Sequence, residues 1–265
     1  MARGRTTSVL TTRWDGGEVG RLPDRLIVEE PLEIRLDGHL VATTMRTPGD
    51  DFELAVGFCF TEGLLAGASV RACRYCVTDP AVEQRFNVVT VDTGGRAPVP
   101  VARLGTTTSS CGACGSRALD ELAARLDPLP GTEPFPGTLL ASLPARLRAH
   151  QPLFDATGAV HAAGAVGRDG SVLVVREDVG RHNAVDKVVG RLLLDGRLPA
   201  TGAALAVSGR ASFELVQKAW SAGFPALVAV SAPSSLAVQA ATRAGMALVG
   251  FARDGRLNLY AGEVA

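Results

Sequence analysis

The sequence predicts an α/β protein: a three-layer core in the C-terminal half, preceded by a smaller α+β lobe. Three observations predict it. Beyond residue 159, short apolar strands alternate with amphipathic helices, the pattern of right-handed crossovers and a mostly parallel sheet covered on both faces. A Pro/Gly-rich stretch from Pro128 to Pro136 reads as a linker between lobes. The first half instead joins a hairpin signal to isolated helical stretches. The organisation expected is a flexible tail over 1–20, an N-terminal lobe over 21–130 and a core over 131–265.

Residues 1–20 contain Gly16, Gly17 and Gly20 among polar residues without a sustained period, which suggests a mobile tail. Leu32–Leu36 and Leu40–Thr44 flank Asp37-Gly38-His39, a hairpin signal. Asp50–Leu65 carries Leu54, Phe58 and Leu65 with Gly63 near its end and reads as a helix. Valine-rich Phe86–Val91 is a strand, and Leu119, Leu122 and Leu126 give Arg117–Leu126 helical spacing. A helix over 138–149 precedes strands 159–166 and 171–176, joined by Arg168-Asp169-Gly170. Helix 182–194, strand 203–208, helix 212–222, strand 226–231, helix 234–244 and strand 246–252 follow, and Arg256–Tyr260 closes an edge.

Lysine plus arginine and aspartate plus glutamate both number 27, so no global field draws in nucleic acid or an acidic membrane, and any anion site must be local. Met1–Trp14 lacks the apolar centre of a secretion signal, and runs such as Ala226–Val230 fall short of the roughly 20 residues that span a bilayer. A soluble cytoplasmic protein is expected.

Five cysteines, an odd number, include two C-x-x-C pairs. Cys111-Gly112-Ala113-Cys114-Gly115 lies between the polar run Thr106–Ser110 and a predicted helix. Free amides and the dipole at a helix N-terminus favour thiolate, the form that attacks sulfur, and persulfide is a reversible state of such a cysteine. Cys114 is placed to resolve or share that sulfur. The rival reading is metal: Cys73-x-x-Cys76 and Cys111-x-x-Cys114 supply four thiolates for structural zinc, although the 34 residues between the pairs exceed usual ribbon spacing. Cys59 reads as a core cysteine. A zinc deaminase needs H-x-E and P-C-x-x-C. No histidine here has glutamate two residues on, and Ser110 precedes Cys111.

Ligands of open α/β sheets settle beyond the carboxyl ends of strands. Four polar junctions stand there: Arg176–Asn183 with Asp186 and Lys187, Ser208-Gly209-Arg210-Ala211-Ser212, Ser231–Ser235, and Phe251-Ala252-Arg253-Asp254-Gly255-Arg256. Arg181, His182, Ser208, Arg210, Ser231, Arg253 and Arg256 are candidates for phosphate or nucleotide contact. The serines equally suit helix capping, and Glu177, Asp178 and Lys187 equally suit solvated charges or a local ion pair. Neither a P-loop nor G-x-G-x-x-G occurs.

Together, Ser110–Gly115, Glu177-Asp-Val-Gly-Arg-His-Asn-Ala-Val-Asp-Lys187, Ser208–Glu214, Val230–Leu236, Val249–Arg256 and the His161-Ala-Ala segment resemble the formate dehydrogenase accessory sulfurtransferase family, FdhD, over about residues 25–260. Cys73-x-x-Cys76 is not part of that pattern. The resemblance implies a cytidine-deaminase-like core. It further implies a sulfur carrier between a cysteine desulfurase and the bis-molybdopterin guanine dinucleotide form of the molybdenum cofactor, serving formate dehydrogenase. Cys111 would bear the persulfide with Cys114 assisting. Phe251, Ala252, Arg253, Asp254, Gly255 and Arg256 would line the guanine-nucleotide site. A homodimer is the expected assembly. The alternative is a non-catalytic cofactor chaperone whose cysteines bind zinc or stabilise a loop.

Overall fold

A computed structural model describes residues 4–76, 86–100 and 112–265, with backbone alone for 112–117. The first element corrects an expectation. Rather than a mobile tail up to residue 20, β1 (Thr6–Asp15) and β2 (Glu18–Ile27) form a two-stranded antiparallel hairpin. Gly16 and Gly17, at φ 57° and 107°, are its turn.

The four-stranded sheet of the N-terminal lobe has the order β4-β3-β6-β5. It comprises β3 (Glu30–Leu36), β4 (His39–Arg46), β5 (Ala72–Tyr75) and β6 (Val88–Asp92), with α1 (Asp51–Thr61) against it. Alternation in β3 sends Leu32, Ile34 and Leu36 to one face, where they meet Leu54, Ala55 and Val56 of α1. The hairpin expected around Asp37-Gly38 is β3–β4.

The second half begins with α2 (Gly112–Ala123), α3 (Gly137–Arg148), α4 (Pro152–Thr157), β7 (His161–Gly167), β8 (Val172–Asp178) and α5 (Arg181–Leu194). Then follow β9 (Ala203–Val207), α6 (Phe213–Ser221), β10 (Ala226–Ala229), α7 (Ser235–Ala244), β11 (Ala247–Arg253) and β12 (Arg256–Ala261). Their six-stranded sheet runs β12-β11-β10-β9-β7-β8. It is mixed rather than mostly parallel: β9, β10 and β11 are parallel, whereas β7, β8 and β12 pair antiparallel. Tight turns at 168–171 and 254–255 force the antiparallel pairs, since parallel neighbours need a long crossover.

Alternation places Leu205, Val207, Leu227 and Ala229 with α5, α6, α7 and Leu119 and Leu122 of α2 on one face. Ala204, Ala206, Ala226 and Val228 meet Leu140, Leu143 and Leu147 of α3 on the other. The expected linker is a packed strap joining those faces: Leu129 N–H donates to the Ala244 carbonyl, and Phe135 is buried under the Arg168 guanidinium.

The lobes meet where α1 crosses α5. A Cβ on Gly57 would stand 1.9 Å from the Asp186 carbonyl oxygen, and one on Gly190 1.9 Å from that of Glu53. Glycine lets the two backbones touch there. Lys187 pairs with Asp178 at 2.7 Å, both essentially inaccessible, and donates to the Thr47 carbonyl. Asp178 also accepts from Thr47 N, Gly180 N and Asn183 Nδ2. Lys218 pairs with Asp186 at 3.0 Å and Glu62 at 3.1 Å. Burial works against its charge, yet Asp186 and Glu62 outweigh that and raise the ammonium above the ordinary lysine value.

Candidate functional site

The carboxyl ends of β9, β10 and β11 are tied side by side by their own backbone. Ser231 N donates to the Gly209 carbonyl, Phe251 N to the Ser231 carbonyl, and Ser234 N to the Ala211 carbonyl. Three of the four predicted junctions therefore make one rim. The fourth reaches it through β7, which antiparallel pairing brings to the same edge: Ser208 N donates to the Ala162 carbonyl, and His161 faces Asp178 across the ladder.

Beneath the rim, on the α3 face, lies a cavity of about 820 Å³, within the range of small-molecule sites. Ser208, Arg253, Asp254 and Gly255, all predicted, line it together with His161. Its other wall comes from α3 and α4, including Arg148, Gln151 and Phe154, which sequence reasoning missed. The missed signal is Glu177. Its carboxylate accepts the N–H groups of Leu153 and Phe154 at 2.9 and 2.8 Å, capping α4 and holding it at the cavity.

The Phe251–Arg256 segment has an unusual backbone. Phe251 stands at φ 51° beside a register shift in the β11–β12 ladder, and Asp254 and Gly255 at φ 50° and 73° form the turn. An aromatic residue in the left-handed region is a strained choice. Its effect is to leave the ring 44% exposed on the rim. Ala252 departs from expectation: its side chain is fully buried in the α3-side core, so only its backbone can face a ligand. Arg256 pairs with Arg253 across the turn, and both are exposed, as is Arg210.

Arg181 opens α5 next to Gly209, whose added Cβ would come 3.6 Å from the His161 ring and 3.7 Å from Cδ of Arg181. Arg181 Nε is buried without a hydrogen-bond partner. Ser208 Oγ accepts the Ala162 N–H at 2.9 Å, leaving its own proton for Nδ1 of His161 at 3.3 Å. On the α5–α6 side, His182 Nε2 is 3.5 Å from Ser212 Oγ and 4.0 Å from Glu214. Burial, then the Arg181 charge, lower both imidazoles, that of His182 to about 4. At neutral pH the cluster thus offers one fixed cation and two uncharged rings.

Cys111 lies outside the described residues, and of Cys114 only its backbone in the first turn of α2 is described. The structure therefore brings neither thiol to the rim nor separates it. Cys73 and Cys76 can be placed. Cys73 opposes Val91 on the core side of β5, whereas Cys76 Sγ lies 3.0 Å from Thr90 Oγ1 on the other side. Residues three apart along an extended chain face opposite ways, so this pair does not converge on one ion. Burial pushes the Cys59 and Cys73 thiols up to about 12. Among the described residues, no helix is long and apolar enough to cross a membrane.

The FdhD/NarQ family model matches residues 27–264. A sulfur carrier protein FdhD of Streptomyces avermitilis is 52% identical over 258 residues, spanning 93% of this chain and 90% of that protein. Its counterpart in Nocardia farcinica is 53% identical over 251 residues, spanning 93% and 89%. A crystal structure described as a formate dehydrogenase accessory protein from Desulfotalea psychrophila aligns with a TM-score of 0.75 at 25% identity, over 98% of each chain.

Proposed function

The chain belongs to the FdhD/NarQ family, and from that premise we propose that it is a sulfur carrier for formate dehydrogenase. It takes sulfur from a cysteine desulfurase as a persulfide on Cys111 and transfers it to the bis-molybdopterin guanine dinucleotide cofactor, in the cytoplasm. The observation that carries the cofactor half of this reading is the rim itself. The Arg253–Gly255 turn borders a cavity with room for one guanine-nucleotide arm of the cofactor rather than the whole of it, and the exposed Phe251, at positive φ, stands two residues before that turn. The ring offers a stacking face to a base, and the arginines suit phosphate. Arg181, with an unpartnered buried Nε beside Ser208 and Gly209, supplies a further donor on the same edge. The mixed six-stranded sheet with helices on both faces supports the cytidine-deaminase-like reading of the core.

Loading conserves atoms and electrons. The Cys111 thiolate attacks the terminal sulfur of the desulfurase persulfide, the S–S bond there breaks, and the desulfurase cysteine leaves as thiolate. Delivery balances when the Cys114 thiolate attacks Sγ of the Cys111 persulfide. A Cys111–Cys114 disulfide forms, and the terminal sulfur leaves as hydrosulfide for the molybdenum centre, the substrate. This makes the chain a sulfurtransferase whose turnover requires reduction of the Cys111–Cys114 disulfide by a thiol reductant.

Titration of the chain with GDP, a probe for the nucleotide arm, tests the rim. Arg253→Ala removes a charge-assisted contact and is expected to weaken binding by about 10-fold or more, while persulfide loading persists. Equal GDP affinity in the wild-type and Arg253→Ala proteins would place the nucleotide elsewhere.

A further inference from the structure

Gln151 is the N-terminal cap residue of α4, yet its side chain makes no capping hydrogen bond. Caps favour the shorter Ser, Thr, Asp and Asn. Glu177 does that work from β8, accepting the Leu153 and Phe154 N–H groups. The Gln151 backbone is fixed all the same. Its carbonyl accepts the Asp155 N–H at 3.0 Å, and Pro152 at the start of the helix restricts it from the other side. The side chain thus has a set position and no local task.

Gln151 is 5% exposed. Its amide carries two donors and an acceptor oxygen, and none of them meets a partner among the described residues. The large majority of buried side-chain polar atoms are bonded, so an unbonded amide in such a place calls for a partner from outside the chain. Among the described residues, Arg181 Nε alone is both fully enclosed and unbonded. The Gln151 amide therefore keeps an opening, and the cavity that it lines beneath the rim supplies it. Its neighbours on that wall are apolar, Leu147, Phe154 and Val160 among them. Arg148 stands there too, but its guanidinium is paired with Asp155 and stacked 4.9 Å from the Phe154 ring centroid. Of all the residues lining the cavity, Gln151 is the one with a side-chain amide.

An amide matches a ligand edge that sets a donor beside an acceptor: its carbonyl accepts the N–H while its NH₂ group donates to the neighbouring oxygen. Guanine carries that pair at N1–H and O6. A phosphate offers acceptors only and suits the arginines at the strand ends. We propose that Gln151 reads the base: its amide accepts from N1–H and donates to O6 of the bound guanine. Glu177, which holds α4 at the cavity, is the positioning residue behind it. The inference rests on the guanine-nucleotide reading of the rim and adds to it a contact outside the strand-end loops. Stacking engages the face of a base and leaves its edge free to turn into the cavity. Because the Gln151 backbone is already fixed, little ordering is needed when the base arrives.

The test is titration calorimetry of the full chain with GDP and with the diphosphate of 2-aminopurine riboside. The second ligand has the same sugar and phosphates but lacks O6 and the N1 proton, so the amide can give it one hydrogen bond at most. The wild type is expected to favour GDP by about 3-fold or more. Gln151→Met keeps an unbranched side chain of similar length and removes the amide, and circular dichroism shows whether it is folded. It is expected to weaken GDP by about 10-fold and the analogue by no more than about 3-fold, so that the two affinities converge. A wild type that binds both ligands equally overturns the inference without any variant. So does a Gln151→Met protein that weakens both ligands by the same factor, or neither. GDP binding that falls in Arg253→Ala but not in Gln151→Met overturns this inference alone, whereas a wild type that does not bind GDP overturns the rim reading with it.

Discussion

Replacing Lys187 by methionine tests whether the buried charges of α5 hold the two lobes together. Lys187 and Asp178 are 1% and 0% exposed at 2.7 Å, and the lysine also donates to the Thr47 carbonyl of the N-terminal lobe. Methionine fills most of the volume but leaves Asp178 charged in an apolar setting. Breaking a buried pair in this way costs about 3–5 kcal/mol. Asp178 retains three donors, Thr47 N, Gly180 N and Asn183 Nδ2, which puts the loss near the lower end, about 3 kcal/mol. In a chain of this size that lowers the melting temperature by about 6–12 °C. Urea denaturation followed by circular dichroism reads the loss. Adding Asp178→Asn to Lys187→Met is expected to recover part of it, since the stranded charge is gone. A loss below about 1 kcal/mol for Lys187→Met would refute the assignment of this pair as an interlobe tie.

Three further outcomes follow from named contacts. Gly57→Ala sets a methyl 1.9 Å from the Asp186 carbonyl oxygen, so overpacking near the top of the usual ~1–3 kcal/mol outweighs the ~1 kcal/mol of helix propensity gained, and thermal melting should fall. His182 takes up its proton at 6.5 when unfolded and at about 4 when folded, so the unfolded chain binds more protons between these values. The stabilisation is complete above 6.5 and declines as pH falls toward 4. His182→Gln should flatten part of that decline in denaturation midpoints, and identical slopes would contradict the burial assigned to the ring. Iodoacetamide at about pH 8 should spare Cys59 and Cys73, held near 12 by burial, and modify Cys111 and Cys114 first; peptide mass mapping shows which sites react.

The C-terminal elements were legible because amphipathic periods of 3.6 and apolar runs of four to seven residues leave few alternatives there. The N-terminal hairpin was not, because its two faces are nearly equally exposed and its turn glycines look like those of a tail. Strand β5 is four residues long, and α4 six, held by the distant Glu177 carboxylate rather than by its own period. At the rim, the strand-end loops were foreseen because topology dictates where a parallel sheet opens. What could not be read was the division of labour within one motif. In sequence Glu177, Asp178 and Lys187 suit ligand contacts, solvated charges or a local ion pair equally; the structure commits Glu177 to a helix cap, and Asp178 with Lys187 and Asp186 with Lys218 to buried ion pairs, leaving Arg181 and His182 at the edge. Similarly Ala252, amid polar neighbours, belongs to the core because strand alternation turns it inward.

The most direct test of the sulfur-carrier account is the intact mass of the chain after incubation with an active cysteine desulfurase and cysteine. The account predicts a gain of one sulfur atom, reversed by reductant and absent in Cys111→Ala. An unchanged mass with Cys111 free, or the same gain in Cys111→Ala, would contradict it.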